Sequence, residues 1–317
     1  MASSSMTKAA HASSAQVRSA LSGSVVGRVR EVELVLAALA ADRHVLLEGP
    51  PGTGKSTLLR AVAEGLGIGF EFVEGNAELT PARLVGHFDP ARVLNEGYDP
   101  SIFVDGPLVT AMRDGSLLYV EEINRIPEET LNVLITVMSE GELHVPRFGT
   151  VVAADGFRLV AAMNPFDAVG TARISGAVYD RVCRVAMGYQ SADDEAEIVH
   201  RHCEGAVSDD FRSKAVELVR RTRSHPDLRV GSSVRGAVDF AKVVCSLAEL
   251  RGTSIDDPST SLDAALVALS GRVRVREGSV RTSEEIITEM WQDIFGRVVS
   301  DGDGGKGSAP MRGTNSR

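Results

Sequence analysis

The segment Gly49-Pro50-Pro51-Gly52-Thr53-Gly54-Lys55-Ser56 constrains the fold of this chain more than any other feature. It fits GxxxxGK[ST] in full, and such a match carries meaning where a strand runs into it and a helix leaves it. Both flanks comply. The run His44–Glu48 is apolar, too short for a helix and stopped by the Gly/Pro cluster, so it reads as a buried strand. The residues from Lys55 to Gly65 carry helical periodicity. In that setting Gly49, Gly52 and Gly54 let the backbone turn with its N–H groups inward, toward phosphate oxygens at a helix N-terminus. Lys55 supplies a cation for the outer phosphates, and the Ser56 hydroxyl is a ligand for Mg²⁺.

The same alternation continues along the chain. Strand-like runs at Phe70–Glu74, Ser116–Val120, Phe157–Met163 and Val182–Met187 are interleaved with helical stretches at Glu31–Ala41 and Pro127–Ser139. Strands separated by helices imply an α/β fold, a mostly parallel sheet sandwiched by helices. After Ser191 helical periodicity takes over, in Asp193–His202, Phe211–Arg223, Ser233–Leu250 and Ser283–Val298. The last of these opens with Thr282 and Glu285 at capping-box spacing. Residues 1–22 and 300–317 are small, polar and without periodicity. The expected organisation is a disordered tail over 1–22, a nucleotide-binding domain over 23–190, a small all-α domain over 191–299 and a disordered tail over 300–317.

Two carboxylates, Glu121 and Glu122, follow the apolar run Leu117-Leu118-Tyr119-Val120. Adjacent strand residues point to opposite faces, but at a strand terminus the chain is turning and both can address one pocket. Such a pair suits divided labour: by position Glu121 serves the metal, and Glu122 orients or deprotonates the attacking water. Asn164 ends the strand-like run Ala161-Ala162-Met163 and precedes Pro165. Its amide is placed to hydrogen-bond the γ-phosphate or the water.

Bulk properties narrow the setting. A chain of 317 residues has room for one large and one small domain. A net charge of -9 argues against a protein whose main task is to coat nucleic acid. The cysteines Cys183, Cys203 and Cys245 are odd in number and far apart, which fits a reducing cytoplasm rather than a disulfide framework. No apolar run approaches the roughly 20 residues that span a bilayer, and the first 22 residues lack the apolar middle of a signal peptide.

Taken in order, these pieces resemble the AAA+ superfamily of P-loop NTPases, and in detail its MoxR branch. The resemblance runs from Val25 to Gly252. It rests on VVGR at Val25–Arg28, GPPGTGKST at Gly49–Thr57, ELTPARLVG at Glu78–Gly86, the stretch Asp105–Leu143, AAMNP at Ala161–Pro165 and AVYDRV at Ala177–Val182. It implies an ATPase using ATP and Mg²⁺, with Gly49 through Thr57 around the nucleotide, Ser56 and Glu121 on the metal, Glu122 as the catalytic carboxylate that orients or deprotonates the water and Asn164 as sensor 1. Arg181 matches the arginine finger that reaches into a neighbouring subunit's ATP, with Arg173 and Arg184 as rivals, Arg184 reading as a structural strand residue. Arg235, in VGSSVR, matches sensor 2 at the start of a lid helix. Arg83–Pro107 is similar to the branch's insert, and His144–Gly156 to its hairpin, with Asp155-Gly156 as the expected turn. The family pattern usually has Asp where this chain has Glu121, which puts strong turnover in question. By resemblance the protein is a ring, expected to be a hexamer, that remodels or matures a client enzyme, including by metal or cofactor insertion, with a von Willebrand A-domain partner. A magnesium-chelatase-like motor subunit and a nucleic-acid motor are the alternatives, and the hairpin's single fixed cation, Arg147, speaks against the second.

Overall fold

The computed structural model describes residues 14–21, 23, 25–165 and 175–296. They form two compact units, one running to His202 and including Ser233–Arg235, the other comprising Cys203–Ser232 and the residues from Gly236 onward.

The first unit is built on a five-stranded sheet of β1 (His44–Glu48), β2 (Phe70–Glu74), β5 (Leu117–Glu121), β8 (Arg158–Met163) and β9 (Val182–Ala186). In chain order β3 (Gly86–Phe88), β4 (Phe103–Asp105), β6 (Glu142–Val145) and β7 (Gly149–Val152) lie between them, in two separate antiparallel pairs. The sheet order is β2-β5-β8-β1-β9, and every pairing is parallel. Parallel strands need crossovers, and helices supply them. Successive residues of a strand face opposite sides, so each central strand feeds two cores. Leu46, Leu118, Val120, Leu159 and Ala161 pack on one face. Val45, Leu47, Leu117, Tyr119, Val160 and Ala162 pack on the other. Doubly buried strands explain why these runs read as continuously apolar.

Helices α1 (Ser14–Leu21), α2 (Val29–Ala40) and α3 (Lys55–Leu66) cover the second of these faces. Helix α1 corrects the expectation of a tail over 1–22. Val17 and Leu21 are buried against α2 and α3, and full burial of such side chains is worth about 1.5–3 kcal/mol each. The surrounding Ser and Ala masked a period carried by only two large residues. The opposite face is covered by α4 (Pro81–Val85), α6 (Pro107–Asp114) and α7 (Glu128–Glu140), with α5 (Pro90–Glu96) between α4 and α6 in sequence. Proline at N1 starts α4, α5 and α6, and Thr80 and Asp89 cap the first two. The hairpin β6–β7 turns at Pro146–Phe148, where Phe148 N–H donates to Val145 C=O and Arg147 takes φ 66°. Asp155-Gly156 instead leads from β7 into β8, a correction to the expected turn.

Helix α8 (Gly176–Tyr179) precedes β9, and α9 (Ala192–Cys203) follows it. Helix α9 goes with the first unit through His202: Arg201 Nη1 donates to Gly23 C=O at 2.5 Å, and Asp194 lies against Gly27. The boundary therefore falls about one helix later than the composition shift near Ser191, which marks a change of periodicity and not of packing partner.

The second unit holds α10 (Asp209–Ser224), most of α11 (Val234–Arg251), α12 (Pro258–Leu269) and α13 (Ser283–Phe295). Phe211, Phe240, Trp291 and Phe295 form its aromatic centre, and Trp291 Nε1 donates to Ser261 Oγ at 3.2 Å. The capping box at Thr282 and Glu285 is formed as expected. The unit is not wholly helical: β10 (Leu228–Val230) pairs antiparallel with β11 (Arg274–Val275), a correction to the expected all-α domain.

Candidate active site

Between β1 and α3 the chain makes the turn that the glycines of its phosphate loop permit. Gly52 has φ 72°, a left-handed conformation, and a Cβ there would lie 2.2 Å from Ser233 Oγ. Only glycine combines that backbone with that approach. Gly54, at φ 84°, caps α3, so the helix begins at Lys55 with its N–H groups facing the loop. Lys55 is buried, and its Nζ donates to the carbonyls of Gly49 and Pro50, both at 3.0 Å. Thr53 Oγ1 also donates to Pro50 C=O at 3.0 Å. Burial pulls the Lys55 ammonium below the ordinary lysine value, while the Glu121 carboxylate pulls the other way.

The acidic pair is held at the end of β5. Ser56 Oγ donates to Glu121 Oε1 at 3.1 Å and lies 3.2 Å from the Tyr119 hydroxyl. The methylene that distinguishes Glu121 from Asp therefore leaves its carboxylate in reach of the loop serine. Glu122 adopts φ 52°, a conformation that costs a non-glycine residue on the order of 1–2 kcal/mol. That turn lets a neighbour of Glu121 address the same cleft. Gly75 makes room for it, since a Cβ at Gly75 would lie 2.4 Å from the Glu122 carbonyl oxygen. Arg125 Nη1 stands 3.2 Å from Glu122 Oε2.

One cleft is lined by Pro51, Gly52, Thr53, Gly54, Lys55, Ser56, Thr57, Glu121, Glu122, Asn164 and Arg235. Gly49 and Pro50 take part through the carbonyls that hold Lys55. Asn164 comes from the end of β8, and Arg235 from the segment Ser233–Arg235 that belongs to the first unit. Arg181 is not among the described residues lining this cleft. It follows α8, where its Nη1 donates to Ala177 C=O at 2.8 Å and its Nε to Ser139 Oγ of α7. Arg184 pairs with Glu48, in keeping with a structural strand residue. Arg173 lies outside the described residues.

Residues 44–182 match the family described as AAA domain, dynein-related subfamily. A protein of Bacillus subtilis, YeaC, is 30% identical over 253 residues, covering 71% of this chain and 76% of its own. The chain belongs to the AAA+ ATPases. Gas vesicle ATPase GvpN2 of Halobacterium salinarum is 29% identical over 276 residues, covering 80% of this chain and 76% of that protein. In fold, the chain is similar to RuvB of Thermotoga maritima, a Holliday junction branch migration motor, with a TM-score of 0.52 at 18% identity, covering 76% of this chain and 70% of that one.

This AAA+ ATPase hydrolyses ATP, and two residues that serve its cleft carried no role in the sequence reading. Arg28 is 3% exposed, and its Nη2 donates to Thr53 C=O at 2.8 Å and Gly188 C=O at 2.6 Å while Nη1 pairs with Glu31. It braces the phosphate loop from behind. Its place in VVGR was visible, but its partners lie 25 and 160 residues away in sequence. Tyr119 looked like a core residue of β5 and is one, yet its hydroxyl meets Ser56, and burial pushes its pKa well above the ordinary tyrosine value. Among the described residues no helix is long and apolar enough to cross a membrane.

Proposed function

We propose that this ATPase works in the manner of the MoxR branch, as a ring, most simply a hexamer, in which ATP hydrolysis remodels or matures a client protein complex. The observation that carries this reading is the separation of Arg181 from the cleft of its own chain. Charge spreads over the transferred phosphoryl group during cleavage, and a guanidinium stabilises it only from within the site. A second copy, turned so that its Arg181 faces this cleft, would supply it.

In the cleft, the loop amides and Lys55 hold the phosphates. Glu122 orients or deprotonates the water, Asn164 hydrogen-bonds the γ-phosphate or that water, and Arg235 senses the nucleotide. The hydroxyl of Ser56 and the carboxylate of Glu121, 3.1 Å apart, are the hard oxygen donors that Mg²⁺ takes. They are the residues that would hold Mg²⁺, which when bound neutralises charge on the outer phosphate oxygens.

A von Willebrand A-domain protein and a client enzyme receiving a metal or cofactor are the partners this reading assigns. One relative is named a gas vesicle ATPase, in keeping with ATP-driven work on a larger structure. The test is capture with Glu122→Gln protein loaded with ATP. Such a partner and a client should be retained with ATP and released with ADP. Retention of nucleic acid or of a chelatase subunit would replace this reading with one of those motors.

A further inference from the structure

Glu48 is the last residue of β1, directly before the phosphate loop, and it is only 5% exposed. A buried carboxylate persists where partners satisfy it. Here the partners come from two places. Arg184 of β9 donates through Nε to Glu48 Oε2, and the Tyr179 hydroxyl donates to Glu48 Oε1 at 2.7 Å. The backbone of Glu48 is equally fixed, since its carbonyl accepts from Met187 N–H at 2.7 Å, and the next residue, Gly49, donates to Met163 C=O at 3.1 Å. Gly49 in turn accepts from Lys55 Nζ at 3.0 Å.

Tyr179 ends the four-residue helix α8, two positions before Arg181. A helix of one turn has little stability of its own and takes its orientation from its tertiary contacts. Val178, fully buried, anchors α8 in the core, and two polar contacts of α8 and the turn after it bear on Arg181. One is Arg181 itself, which donates to Ala177 C=O and to Ser139 Oγ of α7. The other is Tyr179, 40% exposed, with its hydroxyl turned onto the buried Glu48. Burial, and then the hydrogen bond to Glu48, hold the Tyr179 hydroxyl protonated, with its pKa pushed up to about 12, so it remains a donor at any ordinary pH.

We infer that the Tyr179–Glu48 hydrogen bond is a positioning contact that ties Arg181 to the phosphate loop of its own chain, so that each subunit's loop sets the aim of the arginine it offers to the next. The inference rests on the proposal that Arg181 acts in a neighbour's site. Tyr179 touches no reacting group in this arrangement. Its effect passes through Arg181, and the site that feels its loss is the neighbour's. Glu48 has the complementary role, as the fixed end of the link.

The test is subunit mixing, with ATP turnover and nucleotide affinity both read. Tyr179→Phe keeps the ring in place and removes the donor. It should bind nucleotide within about twofold of wild type while kcat falls on the order of 10- to 100-fold, the scale of a misplaced group. Glu48→Leu removes the acceptor and should give the same kcat loss, with no further loss in the double variant. Lys55→Ala subunits cannot hold ATP but keep Glu48, Tyr179 and Arg181. Mixed with them, Tyr179→Phe subunits should recover turnover above the mean of the two pure proteins, because intact arginines now face their sites. Arg181→Ala mixed with Lys55→Ala is the control for the ring reading and should recover likewise, whereas Tyr179→Phe mixed with Arg181→Ala should not. Recovery in the control but not with Tyr179→Phe would overturn the positioning contact. Failure of the control itself would overturn the trans-acting arginine and the inference with it. Wild-type kcat in Tyr179→Phe would overturn the positioning contact alone.

Discussion

Arg28 binds nothing that reacts, yet the phosphate loop depends on it. Its guanidinium is desolvated, and one nitrogen bridges carbonyls from the loop and from the residue two beyond β9's end, Gly188. Hydrogen bonds from charged donors contribute about 1.5–3 kcal/mol each, and losing the donor leaves both acceptors without it. Arg28→Ala is therefore expected to lower stability by about 2–4 kcal/mol, read as a drop in denaturant midpoint, and to weaken nucleotide binding in a fluorescence titration. Glu121 carries the other residue-scale prediction. Its carboxylate already meets Ser56 at 3.1 Å, so Glu121→Asp, which withdraws it by about one C–C bond of 1.5 Å, should lower kcat and raise the Mg²⁺ concentration needed for half-maximal rate. A faster Glu121→Asp enzyme would mean that the longer side chain is a handicap rather than a fit.

The elements differ in how they are secured, and β1 is held at both ends by side chains. At its start His44 Nδ1 accepts the Leu159 N–H at 2.9 Å, which requires that nitrogen to be unprotonated. Burial, the largest cause, lowers the His44 pKa below 6.5, partly offset by a hydrogen bond to the backbone of Met138. A depressed folded value means that the unfolded chain binds the proton more readily. The His44 contribution to stability is thus complete above pH 6.5 and is lost as pH falls below it toward the folded value. Urea midpoints of wild type and His44→Phe between pH 5 and 8 should converge on the acid side, and parallel curves would contradict this account. The sheet was legible because its central strands β1, β5 and β8 are short, largely apolar runs, and β1 and β2 coincide with the runs read from sequence. Helices α4 and α5 were not, since five- and seven-residue helices carry too little period to register, and their Pro and Asp starts read equally as turns. The hairpin turn was misplaced because Asp-Gly is a strong local signal, whereas Arg147 holds a positive φ that its residue type does not advertise. In the site, the loop and both acids could be named from residue type and order alone. Arg28, Tyr119 and Glu48 could not, because their contacts join segments far apart in the chain.

For the whole molecule, catalysis by one chain is incomplete if Arg181 belongs to another copy's cleft. Specific activity should then rise with protein concentration, in step with assembly seen by sedimentation, and Arg181→Ala should bind ATP with little turnover. A rate per subunit that is flat through the dissociated range would mean that each chain works alone. At this scale the acidic net charge of -9 fits assembly with proteins better than travel along nucleic acid. Beneath either arrangement stands the claim that ATP is cleaved at Glu122, held by its left-handed turn beside Glu121 and Ser56. The direct measurement is phosphate release by wild type and Glu122→Gln at saturating ATP, alongside nucleotide affinity for both. The expected result is turnover in wild type, a loss on the order of 10²- to 10⁴-fold in Glu122→Gln and affinity that is retained. Equal turnover in the two proteins would contradict it.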